Sequence, residues 1–399
     1  MASLRILHVT PYSADAWAYG GIARLAATIT AGLARRGHRV TVCTTDVCDA
    51  ESRLGPTTSP RRPWPPQSTE DGVTLRVFPN VSNRLAYHYQ AFAPLGLAAF
   101  MRDHAGDFDV AHLHACRNLP GAIAARYLRE HRVPYVLAPN GTAPMIERRQ
   151  LLKRGFDALY GHRMAAAAAR IVAVSAAEQR QLEDLGFDPQ AIRLIPNPLD
   201  LSEFDPPVVA GAFRRAHALD GRVVLFLGKV TPRKRLDVLV RAFARLADDA
   251  ATLVIAGNDM GGIETARAMA REFGVADRVR FTGLLAARSR LEALTDADLV
   301  VYPSEHEIFG LVPLEAIVCG TPVIVAGDSG CAEVVRATGG GDIVPVGDDA
   351  ALAAAIARML RARVWWRHVT SRAADVIRRR FGGPAVCAEL EALYGELVA

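Results

Sequence analysis

The stretch "ADLVVYPSEHEIFGLVPLEAIVCGTPVIV", residues 297–325, reads as a strand, a loop, a helix and a second strand. Leu299–Tyr302 and Pro322–Val325 are short apolar runs, and the residues from 311 to 318 follow helical spacing. Pro313 suits an early helical position, because the N–H that proline lacks has no intrahelical partner there. Two apolar strands joined by a helix form a βαβ unit, which predicts parallel strands buried on both faces.

The same alternation of short β-branched runs and Ala/Leu/Arg-rich helical stretches extends over most of the chain. The other predicted strands are Leu4–Val9, Val40–Thr44, Val73–Phe78, Val110–Leu113, Tyr135–Ala138, Ile171–Val174, Val223–Leu227, Thr252–Ala256 and Val279–Thr282. Strands separated by helices predict an α/β protein with parallel sheets. The segment "IPNPLDLSEFDPP", residues 195–207, interrupts the alternation with four prolines and predicts an interdomain linker.

This organisation predicts two doubly wound, Rossmann-like domains. The first would span residues 1–198 and the second residues 208–375, and a C-terminal helix, residues 376–399, would pack on the second domain or reach back to the first. Ligands of doubly wound sheets bind at the carboxyl ends of the strands. Two such domains facing each other would form an interdomain cleft, which is a common location for a small-molecule site.

Two carboxylates, Glu307 and Glu315, lie eight positions apart in the stretch quoted above. We expect Glu307 in the loop at the carboxyl edge of the sheet and Glu315 in the first turn of the following helix. Gly310 between them would let a ligand approach the backbone closely. A carboxylate accepts two hydrogen bonds from a vicinal diol, so one acid could hold a ribose and the other a sugar ring. In the alternative, Glu315 only complements the helix dipole, which leaves Glu307 unexplained.

A cluster of cations lies in "FLGKVTPRKRLDVLV", residues 226–240, where an apolar strand is followed by a helix. The loop between them carries Lys229, Arg233, Lys234 and Arg235. Such a cluster beside a helix N-terminus predicts an anion site. The alternative is a solvated charge run. Because the chain has only three lysines among its 47 basic residues, two lysines here favour a compact ammonium for a diphosphate.

Three weaker signals lie in the first half of the chain. Gly20 and Gly21 begin a long helix and would permit close approach of an anion or a hydroxyl-rich ligand, although a plain turn explains them equally well. His112 and His114 share one face of a strand, where packing or substrate contact is favoured over metal binding because no third ligand is in view. Asn140 follows another strand and could contact a sugar hydroxyl.

The remaining acids and cysteines predict no metal site. Asp296 and Asp298 form a DxD pattern, which we interpret as a structural helix cap before the strand at Leu299. The six cysteines are scattered without CxxC spacing, which indicates neither a zinc site nor a disulfide framework. GxGxxG and Walker A sequences are absent from the chain. We therefore expect no metal and no bound cofactor.

The composition indicates a globular protein with an anionic partner. Of the 399 residues, 50% are hydrophobic and 22% charged, and the net charge is +5. No apolar run reaches the length of a membrane span, which predicts a soluble cytoplasmic protein. Nucleic acid is disfavoured, because the arginines are not interleaved with aromatic residues. Arg148, Arg149, Lys153 and Arg154 could contact anionic lipid at the inner membrane face or form a solvated helix face.

These motifs together resemble the retaining glycosyltransferases of family 4, which have the GT-B fold. The resemblance extends over nearly the whole chain, from "GHRVTV" and "FDVAHLHA" through "VSAAEQRQL", "IPNPLDLSEF" and "LGKVTPRKRLDVLVRAFARL" to "LVIAGNDMGG" and "VRFTGLL". Its most specific part is the E-x7-E element formed by Glu307 and Glu315. The resemblance implies two facing Rossmann-like domains, the first for an acceptor and the second for a nucleotide sugar.

The resemblance also implies roles for the matched residues. Glu315 would hold the donor ribose, Glu307 would lie against the donor sugar, and Lys234 would bind the diphosphate. The other expected donor contacts are Phe309, Gly310, Leu311, Gly20 and Gly21. His114 and Asn140 would contact the acceptor or the sugar.

Three positions depart from the family pattern. Lys229 stands where the family usually has arginine, which keeps the charge but loses bidentate geometry. Arg235 stands where glycine is usual. Asn140 stands where many members have a histidine, and an amide cannot take up a proton, which argues against an acid–base role at this position.

The expected activity is hexosyl transfer with retention, from a UDP- or GDP-linked sugar to a hydroxyl acceptor and without a metal. Lys229, Lys234 and helix N-terminal amides would stabilise the departing diphosphate, whose oxygen could take the acceptor's proton. The acceptor could be a glycan, a lipid-linked sugar or a small metabolite. The alternatives are a nucleotide-sugar epimerase of the related two-domain fold and a non-enzymatic protein that binds polyanions or a membrane surface.

Overall fold

The computed structural model describes residues 2–13, 16, 21–49, 51–54, 67–70, 72–145, 150–247 and 250–399. This part of the chain forms two compact units. Unit 1 comprises Met1–Pro198 and Gly383–Ala399, and unit 2 comprises Leu199–Gly382. Each unit is an α/β structure around a largely parallel sheet, so the predicted fold class is confirmed.

Unit 1 is built around an eight-stranded sheet. Its strands are β1 (Arg5–Val9), β2 (Arg39–Thr45), β3 (Gln67–Glu70), β4 (Val73–Phe78), β5 (Val110–His114), β6 (Tyr135–Ala138), β7 (Arg170–Ala173) and β8 (Ile192–Leu194). They are arranged in the order β3-β4-β2-β1-β5-β6-β7-β8, and the edge strand β3 runs antiparallel to β4. The short strands β3 and β8 were not predicted, because neither is an apolar run. Each is extended because it pairs with a neighbouring strand.

Helices cover both faces of this sheet. The helices of unit 1 are α1 (Gly21–Arg35), α2 (Asn83–Tyr89), α3 (Leu97–His104), α4 (Leu119–Glu130), α5 (Gln150–Phe156), α6 (His162–Ala166), α7 (Ala176–Asp184) and α16 (Gly383–Val398). Because side chains alternate along a strand, Leu7 faces a core shared with α3 and α4, and Ile6 faces a core shared with α1 and α16.

The last helix, α16, belongs to unit 1 although it follows unit 2 in the chain. It buries one apolar side against α1, and Glu391 on its flank binds Arg36 at 2.6 Å. The approach is close, because a Cβ added to Gly32 of α1 would lie 2.4 Å from Cys387 Sγ. Only glycine at position 32 therefore lets α1 and α16 pack this closely.

Unit 2 contains a six-stranded sheet whose strands are all parallel. Its strands are β9 (Arg222–Leu227), β10 (Ala251–Ala256), β11 (Val279–Gly283), β12 (Leu299–Tyr302), β13 (Val323–Ala326) and β14 (Gly341–Val344), in the order β11-β10-β9-β12-β13-β14. The helices are α8 (Ala212–Ala216), α9 (Leu236–Ala244), α10 (Ile263–Glu272), α11 (Ala287–Asp296), α12 (Leu311–Val318), α13 (Gly330–Thr338), α14 (Asp349–Arg361) and α15 (Arg363–Arg380). Among the helices of the described ranges, none has the length and apolarity of a membrane span.

Candidate active site

The candidate site lies at the carboxyl ends of β9 and β12, which are neighbours in the middle of the unit 2 sheet. The strand order reverses between them, with β10 and β11 on one side and β13 and β14 on the other. Loops that leave two such strands turn to opposite faces of the sheet and leave a crevice between them. The two motifs of the sequence, the cation cluster after β9 and the acidic loop after β12, both lie at this crevice.

Lys234 is held in the site by a short 3-10 turn, Pro232–Lys234, that follows β9. Its Nζ donates a hydrogen bond to the Tyr302 hydroxyl at 2.5 Å and a second to the carboxylate of Glu307. The same ammonium lies 4.5 Å from the centre of the Tyr302 ring. The structure thus brings Lys234 and Glu307, which were predicted separately, into one largely buried ion pair.

Opposing effects set the charges of this pair. Burial alone would lower the pKa of Lys234, but the attraction of Glu307 and Tyr302 outweighs it and raises that pKa above its ordinary value. Burial would raise the pKa of Glu307, but the charge of Lys234 outweighs it and lowers that pKa. Both groups are therefore ionised near neutral pH. Burial raises the pKa of Tyr302, which stays a neutral hydroxyl.

Lys229 is the second lysine of the site and directly follows Gly228 at the end of β9. Burial, and then repulsion by the charge of Lys234, lower the pKa of Lys229 to about 8. A bound anion would offset both effects, because it attracts the ammonium form. Lys229, whose charge changes near pH 8, therefore lies close to Lys234, which stays charged.

Glu315 is fully buried in α12 and pairs with the guanidinium of Arg290 in α11. Arg290 also binds Glu203, in the 3-10 turn Leu201–Phe204. The prediction that Glu315 lies in the first turn of its helix is wrong, because α12 begins at Leu311 and Glu315 is its fifth residue. Dipole effects are confined to the first turn, so the capping alternative for Glu315 loses its support.

The predicted donor-binding backbone lies at the start of α12. Gly310 occupies the N-cap position with a φ of 68°, and no side chain in the described part of the chain caps this end of the helix. Phe309 is buried against Phe381, with ring centres 5.9 Å apart, and its carbonyl accepts a hydrogen bond from Cys331 Sγ at 3.2 Å. Leu311 provides the first helical amide. Packing thus fixes a helix N-terminus, a favourable place for an oxyanion, at the edge of the site.

We expect Gly310→Ala to destabilise the protein for two reasons. A residue with a side chain at a φ of 68° costs roughly 1 kcal/mol or more. The added Cβ would also lie 2.3 Å from Cys331 Sγ. Gly320→Ala is the matched control, because its φ is 86° and its added Cβ would have no atom within 4 Å. Thermal unfolding should show a loss about 1–3 kcal/mol larger for Gly310→Ala, and equal losses would contradict the close contact.

The residues of unit 1 that were predicted to contact the donor or the acceptor differ from one another in burial. Gly20 lies outside the described residues, and Gly21 is the exposed first residue of α1. His114 ends β5 and is fully buried, with its Nε2 3.0 Å from Nδ1 of His8. The ring of His112 stacks on that of His114, with centres 4.5 Å apart. The structure thus places His114 in a buried histidine stack.

Asn140 lies in a left-handed turn after β6, with a φ of 50°, and is partly exposed. The neighbouring amide of Gly141 donates to Glu178 Oε1 at 2.6 Å, and the amide of Val174 donates to the other oxygen at 2.9 Å. Burial raises the pKa of Glu178 to about 7. Glu178, which belongs to none of the predicted motifs, therefore fixes the turn that carries Asn140.

Sequence reasoning also missed two residues of the unit 2 site. Tyr302 ends the apolar strand β12 directly before the acidic loop. A hydroxyl at the carboxyl end of a buried strand could have indicated a residue of the site. Arg290 lies in a different helix from Glu315, and nothing in the local sequence indicates that the two meet.

The DxD acids have structural partners. Asp296 accepts hydrogen bonds from the amides of Gly211 and Phe213 at the start of α8, at 2.5 and 2.8 Å. Asp298 pairs with Arg214 at 2.7 Å and with Arg363 at 3.1 Å. Within the described ranges, no group of three or more His, Cys, Asp or Glu side chains is arranged to hold a metal ion.

Comparison with known proteins identifies both halves of the chain. Residues 19–203 match the family described as Glycosyltransferase Family 4, and residues 212–375 match the family described as Glycosyl transferases group 1. A D-inositol 3-phosphate glycosyltransferase of Acidothermus cellulolyticus is 33% identical over 366 residues, which cover 86% of this chain and 78% of that protein.

Solved structures show the same fold. HepE of Anabaena, in complex with UDP and glucose, superposes with a TM-score of 0.75 at 19% identity and covers 98% of this chain and 100% of its own. Sucrose-phosphate synthase from Thermosynechococcus elongatus has a TM-score of 0.74 at 21% identity, with 99% of both chains covered. The chain therefore belongs to glycosyltransferase family 4, has the GT-B fold and is a glycosyltransferase.

Proposed function

We propose that this glycosyltransferase moves a sugar from a nucleoside diphosphate sugar to a hydroxyl group, with retention at the anomeric carbon and without a bound metal. The observation that carries the proposal is the buried Lys234–Glu307 pair at the carboxyl ends of β9 and β12. A cation fixed there can stabilise the charge that develops on a departing diphosphate. Family membership favours transfer over nucleotide-sugar epimerisation and over simple polyanion binding.

The leaving group needs the most stabilisation. When the bond from the anomeric carbon to the diphosphate oxygen breaks, its electron pair stays on the diphosphate. Among the described residues, Lys234 donates two of its three N–H groups, to Tyr302 and to Glu307, and the third can donate to a phosphate oxygen. Lys229 and the first amides of α12 add positive charge, which is the role a divalent cation would otherwise fill. The acceptor oxygen bonds to the anomeric carbon from the same face, and a phosphate oxygen takes its proton.

Glu315 is assigned to the donor ribose and Glu307 to the donor sugar. The charge of Arg290 fixes the orientation of the Glu315 carboxylate, which can then accept both hydroxyls of a vicinal diol. The ion pair with Lys234 holds Glu307 in the same way. Each acid therefore has a cationic partner that keeps it in place before the donor binds.

UDP is the first nucleotide to test. The similar HepE structures hold UDP and UDP-glucose, which supports a UDP-linked donor. In a thermal-shift panel of UDP, GDP and ADP at equal concentration, we expect UDP to raise the unfolding midpoint most. The ligand that binds the folded state most tightly stabilises it most. A folded protein whose midpoint none of the three nucleotides changes would contradict the proposal.

The acceptor is proposed to be a hydroxyl of a small phosphorylated polyol, which the name of the Acidothermus relative supports. Incubation with a UDP sugar and D-inositol 3-phosphate should release UDP and give a glycoside with the anomeric configuration of the donor. Isomerised donor sugar in a reaction without acceptor would instead indicate an epimerase. A rate that a metal chelator leaves unchanged would support a reaction without metal.

We expect the affinity for UDP to fall by about tenfold as the pH rises through the pKa of Lys229. That pKa is about 8, so below it the side chain is an ammonium that attracts the diphosphate, and above it the side chain is neutral. Lys234 stays charged and Tyr302 stays protonated over this range, because both pKa values are raised. Titration calorimetry on both sides of pH 8 measures the change.

Lys229→Arg is the control for this pH dependence. A guanidinium keeps its charge at every pH of the experiment, so the variant should bind UDP without the inflection. An inflection that persists in Lys229→Arg would assign the titration to another group.

A further inference from the structure

An exposed apolar surface lies on the connection between β6 and β7 of unit 1. α5, the π turn Asp157–Gly161 and α6 form one continuous helical run, residues 150–166, which we call the α5–α6 segment. None of the seven residues of α5 is buried. The large apolar side chains of the segment are strongly exposed: Leu151 at 81%, Leu152 at 66%, Leu159 at 65% and Tyr160 at 45%.

The outer side of this segment carries only positive charge. Its sequence, "QLLKRGFDALYGHRMAA", contains the basic residues Lys153, Arg154 and Arg163 and a single acid, Asp157. Asp157 is buried, and its carboxylate accepts hydrogen bonds from the guanidinium of Arg117, the shortest at 2.7 Å. The one acid is therefore turned inward and neutralised, while Arg154 and Arg163 are exposed.

The inner side of the segment is fixed to unit 1. Arg117, which holds Asp157, also donates to the carbonyls of Thr142 and Ala143 after β6. Met164 is buried in the core, and its carbonyl accepts a hydrogen bond from the Tyr135 hydroxyl at 2.5 Å. These contacts hold the apolar and cationic outer side in a fixed outward orientation.

We propose that the α5–α6 segment docks this protein on the surface of a bilayer that contains anionic lipid. An amphipathic helix of this kind lies in the plane of the interface, with its apolar side chains against the acyl boundary and its cations among the headgroups. A second copy of the chain fits this surface poorly, because a two-fold contact would bring the cations of both copies together. Arg148 and Arg149, which precede the segment, lie outside the described residues.

The test is flotation of the full chain with lipid vesicles, in the absence of donor. We expect binding to vesicles of phosphatidylcholine with phosphatidylglycerol, and at least about tenfold weaker binding to phosphatidylcholine alone. Salt at about 1 M should release the protein, because the screening length falls to about 3 Å. Equal binding to both vesicle types, or binding to neither, would overturn the proposal.

Two double variants test the two components of the surface. Leu151→Ser with Leu152→Ser, and separately Arg154→Gln with Arg163→Gln, should each weaken binding to anionic vesicles by about tenfold or more. The matched control is Leu185→Ser with Leu194→Ser, which removes two exposed leucines of unit 1 outside the segment and should leave binding unchanged.

Two further outcomes would overturn the proposal. One is a control variant that loses as much binding as the leucine variant of the segment. The other is a wild-type dimer in lipid-free solution that the segment's leucine variant abolishes, which would assign the surface to self-association. Because binding is measured without nucleotide, neither outcome bears on the proposed sugar transfer.

Discussion

Lys234→Ala is expected to lower kcat by about a hundredfold to a thousandfold, the scale on which one preorganised charge partner stabilises a transition state. The substitution removes the ammonium from the place where the diphosphate departs. It also removes from Glu307 the partner that lowers its pKa. Steady-state kinetics with a UDP sugar measures the loss, and circular dichroism shows whether the fold is kept.

Arg241→Gln is the matched control for Lys234→Ala. It also removes one positive charge near α9, but Arg241 pairs with Asp237 within the helix, at 2.7 Å, as partly exposed i,i+4 neighbours. Such pairs contribute little, so kcat should change by less than about twofold. Full turnover in a folded Lys234→Ala enzyme would show that the diphosphate does not depend on this lysine.

Glu315→Gln is expected to weaken UDP binding by about tenfold to a hundredfold, because the amide no longer accepts two ribose hydrogen bonds with full charge. It should also lower the free energy of unfolding by about 2 kcal/mol, the scale of a hydrogen bond to a charged group, since the guanidinium of Arg290 loses a fully buried anionic partner. Titration calorimetry measures the first effect and denaturant unfolding the second.

Adding Arg290→Met to Glu315→Gln separates the two effects. The double variant removes the stranded guanidinium and should regain part of the lost stability, because an apolar side chain of similar length fills its place. Glu203, which loses the same partner, is partly exposed and can be solvated. UDP affinity should not return. If it returned together with the stability, Glu315 would be a structural acid and its assignment to the ribose would be wrong.

The central strands of both sheets could be predicted from the sequence, because a strand buried on both faces is a continuous apolar run. β9 and β12 are such runs, and glycine or proline follows each. β14 could not be predicted in the same way. Its sequence, Gly341–Val344, begins with glycine and aspartate, and it is a strand only because it pairs with β13.

The residues of the candidate site also differ in whether a local sequence pattern or the packing of distant segments brings them together. Lys234 and Glu307 each follow a predicted parallel strand, and carboxyl ends of parallel strands share one edge, so their proximity was predictable in kind. The pairing of Glu315 with Arg290 depends on how α11 and α12 pack, which no local pattern encodes. The histidine stack also depends on a residue far away in the sequence. The hydroxyl of Tyr394 in α16 lies 2.6 Å from His112 Nδ1.

The position of α16 has a consequence for the order of events on the ribosome. Domains usually fold as they emerge, the N-terminal one first. Here the final helix supplies Val386, Leu390 and Tyr394 to the core that α1 and β1 share. That core stays open during translation of all of unit 2, whose own residues are contiguous and can fold earlier. The apolar residues of β1 and α1 that face this core therefore stay uncovered in the nascent chain until α16 has been translated.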